Sequence, residues 1–388
     1  MMDGSSQAFQ HIPLNNTEDE IRLFQLEFDE KQPLVSCKLK TFELKTCPPF
    51  VAVSYTWGPP EPRKIIFVNK CEFEVRENLW NFLLTLCLDQ TDAMATSDSV
   101  LFGNDRENAY FWCDQLCIDQ SNTQERNHQV SLMSRIYSTA AETLVWLGTD
   151  DERAPGRDAL RPNLALESPT DLSWPDSNYT ARSRLGKQTP SEDKILSTMM
   201  QSPYWNRLWI VQEIWFSKKI FLLHGEHILP WSSLQDDVSP SYMRSATSEV
   251  EFENRIRSIP SRVRDLVVEK RHFADGDQRL SYILESFGGL ECADIRDKVF
   301  GLQGLVSEKT RVAVDYSLTL EALFYKVFAK VVGDETHLSH DSQTEFAEDL
   351  LQKLRLDPDM LEDFPWSLER RMSLERRSET KPDWRIHR

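Results

Sequence analysis

Residues 110–148 read YFWCDQLCIDQSNTQERNHQVSLMSRIYSTAAETLVWLG, and three changes of pattern within them spell out a strand, a helix and a second strand. Tyr110 to Cys113 is a short aromatic run of strand type. Asp114 to Gln120 then gathers two carboxylates, amide side chains and a second cysteine at that strand's carboxyl end, where open α/β sheets place their ligand sites. Asn122 followed by Glu125 has the spacing of a capping box, and Val130, Met133, Ile136, Tyr137 and Ala140 recur at helical intervals. Thr143 to Leu147 is apolar and strand-like and stops at Gly148. The pattern is that of one βαβ unit, whose two strands run parallel.

The flanking sequence extends the same architecture. Phe50 to Tyr55 is an apolar run of the kind a buried strand gives, ending in the turn Thr56, Trp57, Gly58, Pro59. Lys64 to Val68 and Cys71 to Val75 flank Asn69 and Lys70 as a β-hairpin, and Leu79, Phe82, Leu83 and Leu86 share one face of a helix over Glu77 to Leu88. Ile21 to Phe28 and Leu34 to Leu44 alternate as an antiparallel hairpin leading into the domain, after a polar N-terminus, residues 1–20, read as disordered. Residues 150–188 are rich in Pro, Ser, Arg and Asp without periodicity and read as a surface insertion. Helix starts follow at Thr189, Pro190 and Glu192 and at Ser202 and Pro203; the second opens a helix containing Trp205, Leu208, Trp209, Gln212 and Glu213. Lys219 to Gly225 is the next strand. The α/β domain thus spans residues 21–235, a helical lobe 249–332, and a charged tail 333–388.

Composition narrows the function. The chain has 388 residues, enough for one large domain and a smaller lobe at roughly 150 residues per domain. A net charge of −17 with no clustered basic patch argues against nucleic-acid binding. Seven cysteines are scattered on apolar segments without zinc-type spacing, which suits unpaired thiols in a reducing compartment. No run is long and apolar enough to span a bilayer and no signal peptide opens the chain, so the expectation is a soluble cytoplasmic protein. No GxGxxG, P-loop or Gly-x-Ser-x-Gly pattern occurs. His224-Gly-Glu-His227 places two histidines three apart at a strand end with one carboxylate, a pattern that surface histidines also give, so no metal is assigned.

WCDQLCIDQ, ERNHQV, MSRIYSTA and VWLG, preceded by AVSYTWG at Ala52 to Gly58, resemble in order the core motifs of the fungal heterokaryon incompatibility (HET) domain. RLWIVQEI at Arg207 to Ile214, CADIRDKVFGL and VDYS continue the resemblance downstream. It implies a role in non-self recognition and the programmed cell death that follows fusion of incompatible hyphae, with self-association and a recognition protein as partners. The HET domain in turn is similar to the TIR domain, which implies a flavodoxin-like parallel sheet flanked by helices, here with an N-terminal β-hairpin and a C-terminal helical lobe.

NAD-cleaving TIR domains have a tryptophan and, four residues later, the catalytic glutamate, and Trp209 with Glu213 resembles that pair. Spacing of i and i+4 puts both on one helical face. The resemblance therefore implies Glu213 as the catalytic carboxylate of an NAD glycohydrolase, with NAD as substrate and no cofactor. Tyr55, Trp57, Gly58, Asp114, Asp119, Gln120 and Trp209 are the ligand-binding candidates, the aromatic rings by stacking and the loop polar groups by positioning hydroxyls.

Each has a plainer reading. Glu213 can pair with Arg207 or Lys218; Tyr55 and Trp57 can lock the first turn; Asp114 and Asp119 can be Asx-type loop formers. Cys113 or Cys117 with His128 would be a nucleophile pair without a recognised setting. A signalling module that works by assembly alone is the alternative to an enzyme.

Overall fold

The computed structural model describes residues 8–27, 35–88, 109–149, 192–225, 227–237, 259–272 and 279–357. The insertion read at 150–188, residues 89–108 and the end of the charged tail from 358 onward lie outside them. The described chain falls into two compact units, Met1–Asp275 and Gly276–Arg388.

The first unit is built on one mixed sheet of nine strands: β1 (Glu20–Glu27), β2 (Ser36–Glu43), β3 (Phe50–Tyr55), β4 (Arg63–Val68), β5 (Cys71–Arg76), β6 (Tyr110–Trp112), β7 (Glu142–Trp146), β8 (Ile220–His224) and β9 (His227–Pro230). Their order is β5-β4-β2-β1-β6-β3-β7-β8-β9. The helices of this unit are α1 (Glu77–Leu88), α2 (Asp114–Cys117), α3 (Thr123–Thr139), α4 (Glu192–Met200), α5 (Ile210–Phe216), α6 (Trp231–Asp237) and α7 (Ser261–His272).

The sheet is α/β in class but not purely parallel. Its parallel part is β6-β3-β7-β8, with β3 paired to both β6 and β7 and β7 to β8. In chain order these are the second, first, third and fourth of the four, and β3, β7 and β8 are buried throughout, as strands covered on both faces should be. The remaining strands change the expected picture. The hairpin β1–β2 does not merely lead into the domain: β1 pairs antiparallel with β6 through Phe24 and Phe111, whose rings stack 5.5 Å apart. The β4–β5 hairpin joins the same sheet through β2. The turn at Asn69 and Lys70 holds because both adopt positive φ, 51° and 70°, and Asn69 bonds both backbone groups of Leu39.

Residues 8–20, read as disordered, are tied down. Phe9 N–H bonds Glu72 O at 2.8 Å, the His11 ring bonds Leu116 O at 2.9 Å, and Asn15 caps a short 3₁₀ turn at Asn16–Glu18. The helix expected from Ser202 and Pro203 also differs. Ser202 does cap, but a 3₁₀ turn over Pro203–Asn206, breaking off in extended backbone at Arg207; α5 then starts afresh with Trp209 as its N-cap. Leu208, Val211 and Trp215 are buried as their apolar character requires.

Helix α7, read from its pattern as part of the later lobe, belongs to the first unit and packs on α5. The second unit contains α8 (Leu280–Phe287), α9 (Asp297–Phe300), α10 (Leu320–Asp334) and α11 (His340–Leu354). Here the CADIRDKVFGL and VDYS motifs knit one loop: Arg296 pairs with Asp294 at 2.7 Å and donates to Tyr316 O, while the Tyr316 hydroxyl bonds Asp297 at 2.5 Å. Helix α11, inside the segment read as tail, buries Ala347, Leu350, Leu351 and Leu354.

Candidate functional site

The carboxyl ends of β3 and β6 lie side by side because the two strands pair in parallel, Ala52 opposite Trp112. That register brings Trp57 and Asp114 together, and the Trp57 indole N–H donates to Asp114 Oδ2 at 2.8 Å. Arg76 lies over one face of the Trp57 ring, 4.9 Å from its centroid, and donates to Gly58 O at 2.7 Å. Gly58 itself sits at φ +74°, where a side chain would be strained, with Asn78 Cβ 3.3 Å from where its Cβ would be. The AVSYTWG turn is thus fixed from three sides, and Trp57 has one face taken.

Successive residues of β3 point to opposite faces. Tyr55 is buried, and its hydroxyl donates to Gln115 Oε1 at 3.1 Å. Ser54 points the other way. Its hydroxyl donates to Glu213 Oε2 and lies 2.5 Å from the Tyr204 hydroxyl. Glu213 is 4% exposed, on the first turn of α5, and its Oε2 is also 3.5 Å from Arg207 Nη1. The pairing with Arg207 that sequence allowed is therefore present. Trp209, half-buried against the core, accepts the Glu213 N–H at its carbonyl, 3.2 Å.

Three charges meet here. Burial raises the Glu213 pKa above the ordinary carboxylate value, with Arg207 and the Ser54 hydroxyl pulling it back. Asp114 is raised for the same reason, and Arg207 and the Trp57 N–H offset it in part. Asp114 Oδ1, Arg207 Nη1 and Thr56 Oγ1 are buried atoms with no hydrogen-bond partner among the described residues. One guanidinium serves two carboxylates and is already paired with Glu213, so the open capacity is the Asp114 Oδ1 acceptor and the Thr56 hydroxyl, which suits a neutral polar group better than an anion.

The other loop residues are structural in this geometry. Asp119 Oδ1 accepts from Ser121 N–H at 3.1 Å and Ser121 hydroxyl at 2.6 Å, an Asx turn whose bonds hold its pKa below the ordinary value against the effect of burial. Gln120 donates to Asp114 O at 3.2 Å. Asn122 accepts from Gln124 and Glu125 N–H, but Glu125 does not complete the box. Its carboxylate takes a bidentate pair from buried Arg22, at 2.6 and 2.9 Å, and the Asp119 N–H at 2.7 Å. Arg22 also donates to Cys117 O and Ile12 O, so one ion pair holds the whole CIDQ loop.

Cys113 and Cys117 are buried, burial pushes both thiols up, and His128 pairs with Asp19 at 3.4 Å; a nucleophile has no support here. His224 is buried in β8 and His227 opens β9. Among the described residues, no three His, Cys, Asp or Glu side chains gather to hold a metal, and no helix is long and apolar enough to cross a membrane. Ser54 and Tyr204 were missed by sequence reasoning. The available signal was a hydroxyl inside an otherwise apolar strand, which must find a partner when buried.

Residues 50–213 match the family described as Heterokaryon incompatibility protein (HET). Over 150 residues the chain is 27% identical to heterokaryon incompatibility protein 6, OR allele, of Neurospora crassa, covering 37% of this chain and 21% of that protein. Over 112 residues it is 31% identical to vegetative incompatibility protein HET-E-1 of Podospora anserina, covering 28% of this chain and 7% of that protein. No solved structure matches. The family match begins at the first residue of β3 and ends at Glu213, so it frames the Ser54–Arg207–Glu213 cluster, and this chain carries a fungal HET domain.

Proposed function

We propose that this chain acts in fungal heterokaryon incompatibility, in the cytoplasm, and that its HET domain, when copies associate, cleaves NAD between nicotinamide and ribose and so drives cell death. The observation that carries the reading is Glu213: a buried carboxylate with a raised pKa, four residues after Trp209, beside the carboxyl end of β3. The strand order second-first-third-fourth in the parallel part supports a flavodoxin-like, TIR-like lineage, since doubly wound sheets of that order bind ligands at their carboxyl edge.

In this reaction the C1′–N1 bond breaks, its electron pair returns to the pyridine ring, and water adds to the ribosyl cation with loss of a proton. An ionised Glu213 stabilises the oxocarbenium-like state electrostatically. Asp114 Oδ1 and the Thr56 hydroxyl offer an acceptor and a donor for the ribose hydroxyls, and the net negative cluster attracts the cationic pyridinium. Because the working form is the carboxylate, nicotinamide release rises with pH through the raised Glu213 pKa.

One observation favours an assembly module instead: Glu213 Oε2 is already engaged by Ser54 and Arg207. The two readings separate when purified protein at high concentration is incubated with NAD and free nicotinamide is measured by chromatography. Glu213→Gln keeps the shape, stays folded and self-associated, and loses nicotinamide release and cell killing together. Killing by the Gln variant at the parent's level leaves only assembly.

A further inference from the structure

Lys270 lies beyond the HET match, on α7, and its ammonium is spent on the far end of the helix that carries Glu213. Nζ donates to Ile214 O and Trp215 O, both at 2.8 Å, and to Ser217 O at 2.7 Å. The Ser217 hydroxyl takes the Glu213 carbonyl and meets the Thr143 hydroxyl of β7 at 2.5 Å. The carbonyls of Glu213, Ile214, Trp215 and Ser217 are therefore each taken by a side chain.

The physical need is plain. Helix α5 has seven residues, under two turns, too few to hold itself, and its last carbonyls have no intrahelical partner. A cation there answers both the open acceptors and the negative end of the helix. An ammonium has three donors and here it meets three acceptors.

We infer that Lys270 is a positioning residue for the site: by fixing the carboxyl end of α5 to α7, it holds the Glu213 carboxylate against Ser54 and Arg207. Burial pulls the Lys270 pKa down to about 8, while the three carbonyls favour the charged form. The functional meaning rests on the reading of Glu213 as the working carboxylate; the geometry does not.

The test is the titration of Glu213, followed by carbon NMR in protein labelled at glutamate carboxyls and assigned with Glu213→Gln. Around Glu213 stand Arg207, Asp114, Tyr204 and Tyr137, and its raised pKa depends on staying buried among them. Lys270→Met should move the Glu213 midpoint about one unit toward the ordinary carboxylate value, with an unchanged circular dichroism spectrum. Lys270→Arg should restore it at least halfway. A cap that serves the fold alone lowers the melting temperature and leaves the midpoint in place, which overturns the inference. Should the Met variant not fold, Lys270→Gln, which keeps an amide donor, carries the same comparison; loss of fold in both also overturns it. Absence of nicotinamide release from the parent protein counts against the NAD reading and leaves the titration result standing.

Discussion

Arg207 carries the charge that lets two carboxylates share one end of the sheet. Asp114 and Glu213 both have folded pKa values raised by burial and held down by Arg207. A carboxyl group whose folded pKa lies above its unfolded value contributes stability at low pH that is lost as pH rises through the interval between the two. Removing the guanidinium widens that interval upward. Arg207→Met should therefore cost about 3–5 kcal/mol at pH 7.5, the usual penalty for stranding buried charge, and the cost should shrink on acidification toward pH 5 as the carboxyls take up protons. Urea unfolding at both pH values measures it. A penalty that does not change with pH would mean the two carboxylates do not depend on Arg207.

At the scale of elements, the βαβ unit was legible because period and punctuation agree over Tyr110 to Gly148, and the parallel pairing of β3 with β6 and β7 follows from it. What the pattern could not show was the non-local partner of a local motif. Asn122 and Glu125 read as a capping box, and half of one forms, but Glu125 is 3% exposed and bound to an arginine 103 residues away. Only the fold brings Arg22 there. The two readings predict different energies. A cap residue such as Asn122 contributes about 1 kcal/mol, so Asn122→Ala should cost that much. Glu125→Gln leaves Arg22 buried without its one carboxylate partner and should cost about 3 kcal/mol or more. Denaturation midpoints for the two variants decide it; equal, small losses would return Glu125 to a capping role. Helix α5 failed for a related reason. Its sequence runs on from Ser202 in helical rhythm, but Arg207 is drawn out of the helix into extended backbone where it faces Glu213, and no periodicity reports that.

Across the whole molecule, the scatter of cysteines was readable as unpaired thiols, and all seven are free. Their depth was not, since it depends on how strands from distant parts of the chain stack. Cys37, Cys113 and Cys117 are buried, whereas Cys47, Cys71, Cys87 and Cys292 are half-buried. Burial pushes Cys37 and Cys87 up to about 12 and Cys292 to about 11, so little thiolate exists at neutral pH in any of the three. Reaction with an alkylating reagent needs both access and thiolate. In native protein at pH 7.5, Cys37, Cys113 and Cys117 should stay unmodified over the time that urea-unfolded protein becomes fully labelled, as read by peptide mass spectrometry. Unfolded, unreduced protein should take up seven labels; a smaller number would reveal a disulfide. Cys113 and Cys117 bracket Asp114 and Leu116, so their protection also reports on the site. Labelling of Cys113 in the native state at the unfolded rate would mean that α2 opens freely, and that the Trp57–Asp114 contact does not persist in solution.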